Sequence, residues 1–415
     1  MMFRRTPDSR SSAAAWSLAG AWVGILFLAI PFARNIQEAA ERLAGPHVYL
    51  ALTATLGAIF VPAVLIHVFR GDRQQMARRL GGLALLGALA AWVMRTQLQT
   101  PAEAIHFFEY GILGLLLFRA WRHQVQDSLI YPISALSLVG IAWLDEWVQW
   151  MVPGRFWDFR DIRLNTLAGV LFLLFIAWVV VPSGIRCPVE RSSVRRLCRL
   201  AWLAILLMGI AISTTPGRVD RIAGRIPFLR FLYNNESVVN EFGHRHADPE
   251  IGEFFSRMSL PELLRADRDR GAEAGGILAR HPALANRLEF RNVFPATADP
   301  FLHELWSHWI RRNHYGAAGW KYRENDPARF TDHLTVAMRE NQILEKYFPH
   351  ALEASGGRWD AGERSRITAH ADLDRPYASA VGDHLATAVS EGEAWLLLLG
   401  LAGLVGWGHL RWGRE

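Results

Sequence analysis

The chain has 415 residues, of which 51% are apolar and 17 are Trp, and its formal net charge is +6. That length allows two folding units, and so apolar a composition points to the membrane. The basic excess is almost all Arg and sits in short loops between apolar blocks, which excludes a continuous stripe able to track nucleic-acid phosphates; no nucleic-acid partner is expected.

Taken in chain order, apolar runs long enough to cross ~30 Å of hydrocarbon as helices lie near residues 15–33, 47–69, 79–95, 104–121, 128–150, 163–183, 199–215 and 393–411. The runs are continuous and lack the alternation of a membrane barrel strand, so about eight transmembrane helices are expected. The start Met1-Met2-Phe3-Arg4-Arg5 resembles a signal peptide, but Ile30-Pro31-Phe32-Ala33-Arg34 lacks a small-x-small cleavage pattern, so the first run is read as a retained helix.

Orientation follows from Arg in the short loops. Arg4, Arg5 and Arg10 place the N-terminus inside, and the loops with Arg70, Arg73, Arg78 and Arg79, with Arg119 and Arg122, and with Arg186, Arg191, Arg195, Arg196 and Arg199 then fall on the same side. The expected organisation is helices 1–2 in residues 1–78, a four-helix core in 79–185, a cytoplasmic loop and helix 7 in 186–215, an extracytoplasmic domain in 216–391, and a last helix in 392–415 that ends with Arg411 and Arg414 inside. An inner-membrane, multi-pass, all-α protein with a mainly helical soluble domain is the expected fold class. Cys187 and Cys198, the only cysteines, share the Arg-rich loop and indicate neither a disulfide framework nor a thiolate metal site.

Asp248-Pro249, Asp299-Pro300 and Asp326-Pro327 each offer an N-cap acceptor followed by Pro at the first helical position, and Ser259-Leu260-Pro261-Glu262 reads as a capping box. Gly356-Gly357 and the run from Gly271 to Gly276 are expected as loops.

Polar side chains near membrane helices are costly and carry a functional hypothesis by default. His106, Glu109 and Tyr110 share a face near the start of the fourth helix, Asp145, Glu146 and Gln149 close the fifth, Pro153-Gly154-Arg155 and Asp158 form the loop, and Asp161 and Asn165 open the sixth. Three consecutive helix ends would bring these groups to one level, with Gly111, Gly114 and Gly169 allowing close approach. Either the groups satisfy one another, with Arg155 forked onto a carboxylate, or they form a pocket. Trp147, Trp150, Phe156 and Trp157 around them read as an interfacial aromatic belt.

The succession His106-Phe-Phe-Glu109-Tyr110-Gly111, Asp145-Glu146-Trp-Val-Gln149, Pro153-Gly154-Arg155 and Asp161-Ile-Arg-Leu-Asn165-Thr-Leu-Ala-Gly169 resembles the VanZ-like membrane protein family over about residues 80–185. The resemblance implies a place in the bacterial envelope; the family's namesake is linked to reduced sensitivity to the glycopeptide teicoplanin. The helices before residue 80 and the segment 216–391 read as additions.

Ten of the fifteen His lie in 216–391. His303 and His308 are five residues apart and diverge by about 140° on a helix, so His303-Glu304-Leu305-Trp306-Ser307-His308 is not a zinc-protease motif. His244, His246, Glu304 and His308 remain the weak metal candidates, with a packed His308 the preferred reading. No Walker loop, dinucleotide fingerprint or nucleophile elbow is present, and no cofactor is expected.

The reading that absorbs most of these features is an outward-facing polar pocket for an amphiphilic envelope molecule, such as a lipid-linked or glycolipid head group. An enzymatic version would use Asp145 or Glu146 as acid or base, His106 as proton partner and Arg155 as anion clamp. The alternative is a non-catalytic scaffold or sensor whose outer domain binds a protein partner or ligand.

Overall fold

The computed structural model describes residues 9–412 apart from 46, 71–72, 99, 101–102, 153–154, 156, 186–187, 233–238, 281–289 and 291–292. Arg4, Arg5, Pro153, Gly154, Phe156, Arg186, Cys187 and Arg414 lie outside the described residues. The chain divides into two compact units, Met1–Ala211 with Leu396–Glu415, and Ile212–Trp395.

In the first unit, α1 (Ser9–Ala29) runs through a 3-10 turn into α2 (Ala33–Ala44) and is followed by α3 (Val48–Phe69), α4 (Arg73–Gln97), α5 (Ala104–Trp121), α6 (Ile130–Trp150) and α7 (Phe159–Phe175), which continues as a π turn over Ile176–Val180. Next comes α8 (Arg191–Ser213). Among the described residues, seven helical stretches are long and apolar enough to cross a membrane, the last of them Glu391–Trp412. The run expected at 128–150 is helical, as α6, but it is not among those seven. Asp145 and Glu146 are the reason its composition is less apolar.

Two helices begin earlier than the apolar runs predict. Arg73, Arg78 and Arg79 belong to the first turns of α4, and Arg191, Arg195, Arg196 and Arg199 to those of α8, where Cys198 is also buried instead of lying in a loop. Arg is a good helix former whose long stem carries its charge away from the apolar body, so a helix need not wait for hydrophobic residues to start.

The second unit opens with α9 (Pro216–Ala223) and a 3-10 turn at Pro227–Leu232. A two-stranded antiparallel sheet of β1 (His244–Asp248) and β2 (Gly252–Ser256) follows, pairing His244 with Ser256 and Asp248 with Gly252. The helices are α10 (Leu260–Arg280), α11 (Pro300–Gly319), α12 (Pro327–Tyr347), α13 (Pro349–Ala354) and α14 (Ala361–Thr368), and the chain then returns to the first unit through α15 (Glu391–Trp412). The second unit is mostly helical but not purely so. Phe254, Leu263, Phe301, Leu305, Trp306, Leu344 and Phe348 are buried in its main apolar core.

Two of the three Asp-Pro pairs behave as helix starts: Asp299 accepts from the Leu302 N–H and Asp326 from the Arg329 N–H. Asp248-Pro249 does not. Its carboxylate takes the N–H groups of Glu250 and Ile251 at 2.9 and 3.1 Å, the geometry of a side-chain-capped turn, and so closes the hairpin. Half of the capping box is formed: the Ser259 N–H and Oγ both donate to the Glu262 carboxylate. Gly271–Gly276 lies inside α10 and is no loop. A Cβ at Gly271 would stand 2.8 Å from the Ala351 backbone nitrogen, so glycine there serves the close approach of α10 to α13.

Candidate functional site

The helices that carry the polar motifs are held together by small residues. A Cβ at Gly114 of α5 would come within 3.1 Å of the Gly169 carbonyl oxygen of α7, Gly111 faces the Phe172 ring, and Gly169 faces Leu138 of α6. Backbone therefore meets backbone, as in close-packed membrane helices generally. This approach brings the ends of α5, α6 and α7 to one level.

There the polar groups form two connected sets. In the first, Gln149 donates to Asp145 Oδ2 at 3.1 Å and accepts from the Arg155 guanidinium at 2.5 Å. His106 Nδ1 lies 3.2 Å from Glu109 Oε2 one turn along α5. Tyr110 is only 1% exposed beside them. In the second set, Glu146 accepts the Asp158 N–H at 2.7 Å, and Asp158 in turn caps α7 through the Arg160 N–H at 2.7 Å. The two sets do different work: the second fixes the loop that the first faces.

A cavity of about 140 Å³ is lined by His106, Glu109, Tyr110, Asp145, Gln149 and Arg155 on one side. Its other wall is α1 and the turn after it, with Trp22, Ile25, Leu26, Ala29, Ile30 and Ala33. Trp22 Nε1 donates to the Glu109 carbonyl at 3.0 Å and ties that wall to α5. Six of the twelve lining residues are thus polar and six apolar. Sequence reasoning found the polar half and missed α1, because a plain apolar helix carries no signal about which neighbour it covers.

Six of the ten site residues expected from the sequence line this cavity. Glu146 and Asp158 do not; they belong to the loop lock. Asp161 lies beside Arg160, at 3.7 Å, and Asn165 is buried in α7 with its side-chain oxygen unpartnered among the described residues. The carboxylate fork that is one of the two alternatives for Arg155 belongs instead to Arg160, whose two terminal nitrogens reach Glu103 at 3.0 and 3.1 Å. The Gln97 carbonyl also accepts from Arg160, at 3.1 Å.

Two of the four aromatic residues read as an interfacial belt face the protein interior. Trp150 and Trp157 are buried, and Trp143, Trp147, Trp157 and Phe159 meet edge to face at ring separations of 5.3 to 6.0 Å, joining the end of α6 to the start of α7.

In the second unit the weak metal candidates are separated by their partners. Glu304 accepts from Ser256 Oγ at 2.6 Å and from the Arg257 N–H at 2.7 Å, while His308 is bound to Glu340 at 2.6 Å. His244 and His246 stack on β1 with ring centres 6.2 Å apart. Among the described residues no group of three or more His, Cys, Asp or Glu could hold a metal ion.

No curated protein and no solved structure matches the chain. A protein-family model described as VanZ/LLP1 matches residues 15–180. The match begins at α1, so the helices before residue 80 are part of the family region and not additions to it, and α1, the missed wall of the cavity, falls inside it. Residues 15–180 of this chain are a VanZ-like membrane segment.

Proposed function

We propose that the cavity between α1, α5 and α6 receives the head group of an amphiphilic envelope molecule, with Arg155 facing its anionic part. The observation that carries this reading is the two-sided lining, polar from α5, α6 and Arg155 and apolar from α1. At about 140 Å³ the cavity is smaller than a typical ligand pocket of roughly 300 Å³ or more. It suits a head-group fragment whose acyl chains lie along the outer face of α1, where Ile25 and Leu28 are 57% and 74% exposed.

Asp145 and His106 are the pair placed to move a proton on such a ligand, and Glu146, which does not line the cavity, is set aside from that role. For topology, the end of the unit opposite the cavity carries Arg119 and Arg122 of the α5 end and the Arg-rich start of α8; Arg122 donates to the Ser183 carbonyl at 2.7 Å. Placing that end in the cytoplasm puts the cavity at the outer face of the inner membrane and the segment 216–391 outside. The second reading, a scaffold, is favoured by one fact: Gln149 satisfies both Asp145 and Arg155 internally.

The test is mass spectrometry of lipids retained by the purified full-length protein, with Asp145→Asn and Arg155→Ala beside it. A species held by the wild type and lost from both folded variants supports the pocket. Identical lipid profiles in all three leave only the scaffold.

A further inference from the structure

The second unit holds a larger cavity, of about 490 Å³, that no motif announced. One face of α11 lines it through three turns, as His303, Trp306 and Ser307, Ile310 and Arg311, then His314 and Tyr315. Arg257 and the segment Ala380–His384 complete it. Glu304 and His308 fall on the edge of this stripe, at the helical spacing of Arg311 and Tyr315, but they are buried and do not line the cavity.

Two arginines and an indole N–H contribute donors to this lining. Trp306 is 2% exposed, and its Nε1–H has no hydrogen-bond partner among the described residues. A buried N–H without an acceptor is costly unless something else supplies one. Arg311 commits its Nε to Glu340 at 3.0 Å and lies 4.6 Å over the Tyr315 ring, which fixes the guanidinium. Arg257 is fixed likewise by Glu241 at 2.7 and 3.0 Å.

The carboxylates are placed behind the arginines and not in the cavity. Glu304, Glu340 and Glu241 are absent from its lining, and Asp383 is the one acidic residue in it. Because those buried carboxylates offset much of the arginine charge, long-range attraction is weak and recognition rests on short, directed donors. Trp306, Ile310 and Tyr315 add an aromatic and apolar part to the lining.

We propose that this cavity is a binding site for a small organic anion, an oxyanion group carried on a flat apolar body. The oxyanion accepts from Trp306 Nε1 and Arg311, and the body lies against Ile310 and Tyr315. The proposal is independent of the membrane cavity and stands or falls without it.

The test is isothermal titration of the full-length protein in detergent with benzoate, phenyl phosphate and the neutral benzyl alcohol. Trp306→Phe keeps an aromatic ring facing Phe290, whose centroid is 4.3 Å from that of Trp306, and removes the N–H together with part of the indole. It is expected to lower the thermal midpoint while leaving the protein folded, and to weaken anion binding about tenfold, the loss of one hydrogen bond to a charged acceptor. Arg311→Met is expected to weaken it at least as much. Preference for benzoate or for phenyl phosphate decides whether the natural group is a carboxylate or a phosphate. No binding of either anion, equal binding of benzyl alcohol, or binding unchanged in both variants would overturn the proposal.

Discussion

Arg160 of α7 grips Glu103 with both terminal nitrogens, at 3.0 and 3.1 Å, and with side-chain exposures of only 21% and 15% the pair joins the first turn of α7 to the start of α5. Removing one partner leaves the other charge half-buried. Glu103→Gln is expected to destabilise the membrane unit by about 1–3 kcal/mol, read as a lower thermal midpoint in detergent. Combining it with Arg160→Leu should cost less than the sum of the two, and strict additivity would show that the pair is not coupled.

Gly114 tests the helix packing that builds the cavity. Gly114→Ala pushes a methyl group to 3.1 Å from the Gly169 carbonyl, where backbone and not a flexible side chain must yield. A loss of about 1–3 kcal/mol is expected. Gly57→Ala in α3 meets nothing within 4 Å and serves as the control, expected to be neutral or slightly stabilising.

Asp248 is tied by four groups: the N–H groups of Glu250 and Ile251, the Tyr347 hydroxyl at 2.5 Å and Lys346 at 2.7 Å. Burial acts to raise its carboxyl pKa, yet Lys346 and the other donors hold it well below the usual carboxylate range. Asp248→Ala should therefore open the hairpin at a cost of about 2–4 kcal/mol. Asp248→Asn keeps an acceptor for the turn and should lose less. Hydrogen exchange of residues 244–256 reports both.

Glu241 predicts the response to acid. Burial raises its pKa, but hydrogen bonds from His384 and Arg257 outweigh this and hold it at about 2, against an ordinary 4.5. The ionised form stabilises the folded unit fully above pH 4.5, and that contribution is lost as the pH falls toward 2. It amounts to about 3 kcal/mol. Glu241→Gln should raise exchange around residues 241–257 at pH 7 and flatten its acid dependence between pH 4.5 and 2; an acid limb as steep as the wild type's would assign it to other carboxylates.

The extent to which this molecule is legible in its sequence differs between its parts. Apolar length alone marks a membrane protein, since a run able to cross the bilayer needs no tertiary partner to be recognised. The order of the four motifs marks the VanZ-like segment, and helical spacing puts His106, Glu109 and Tyr110 on one face. Local capping is equally legible at Ser259, Asp299 and Asp326, because donor and acceptor there lie within three residues.

What lies beyond a few residues of chain could not be read in this way. Asp248-Pro249 has the same local pattern as the two helix starts, yet Tyr347 and Lys346, about a hundred residues away, and the pairing of β1 with β2 make it a turn. Gly271 resembles a loop residue until α13 is packed against it. In the sequence Arg155 alone stands out as a partner for a carboxylate, whereas the fold sets Glu103 beside Arg160. The same holds for both cavities: α1 covers the polar groups of the membrane unit, and the face of α11 that carries Trp306 and Arg311 acquires its meaning from Arg257 and residues 380–384. Sequence by itself determined which groups are polar, apolar or flexible; the tertiary structure decided which of them meet, because hydrogen bonds and steric contacts act over a few ångströms of space and not along the chain.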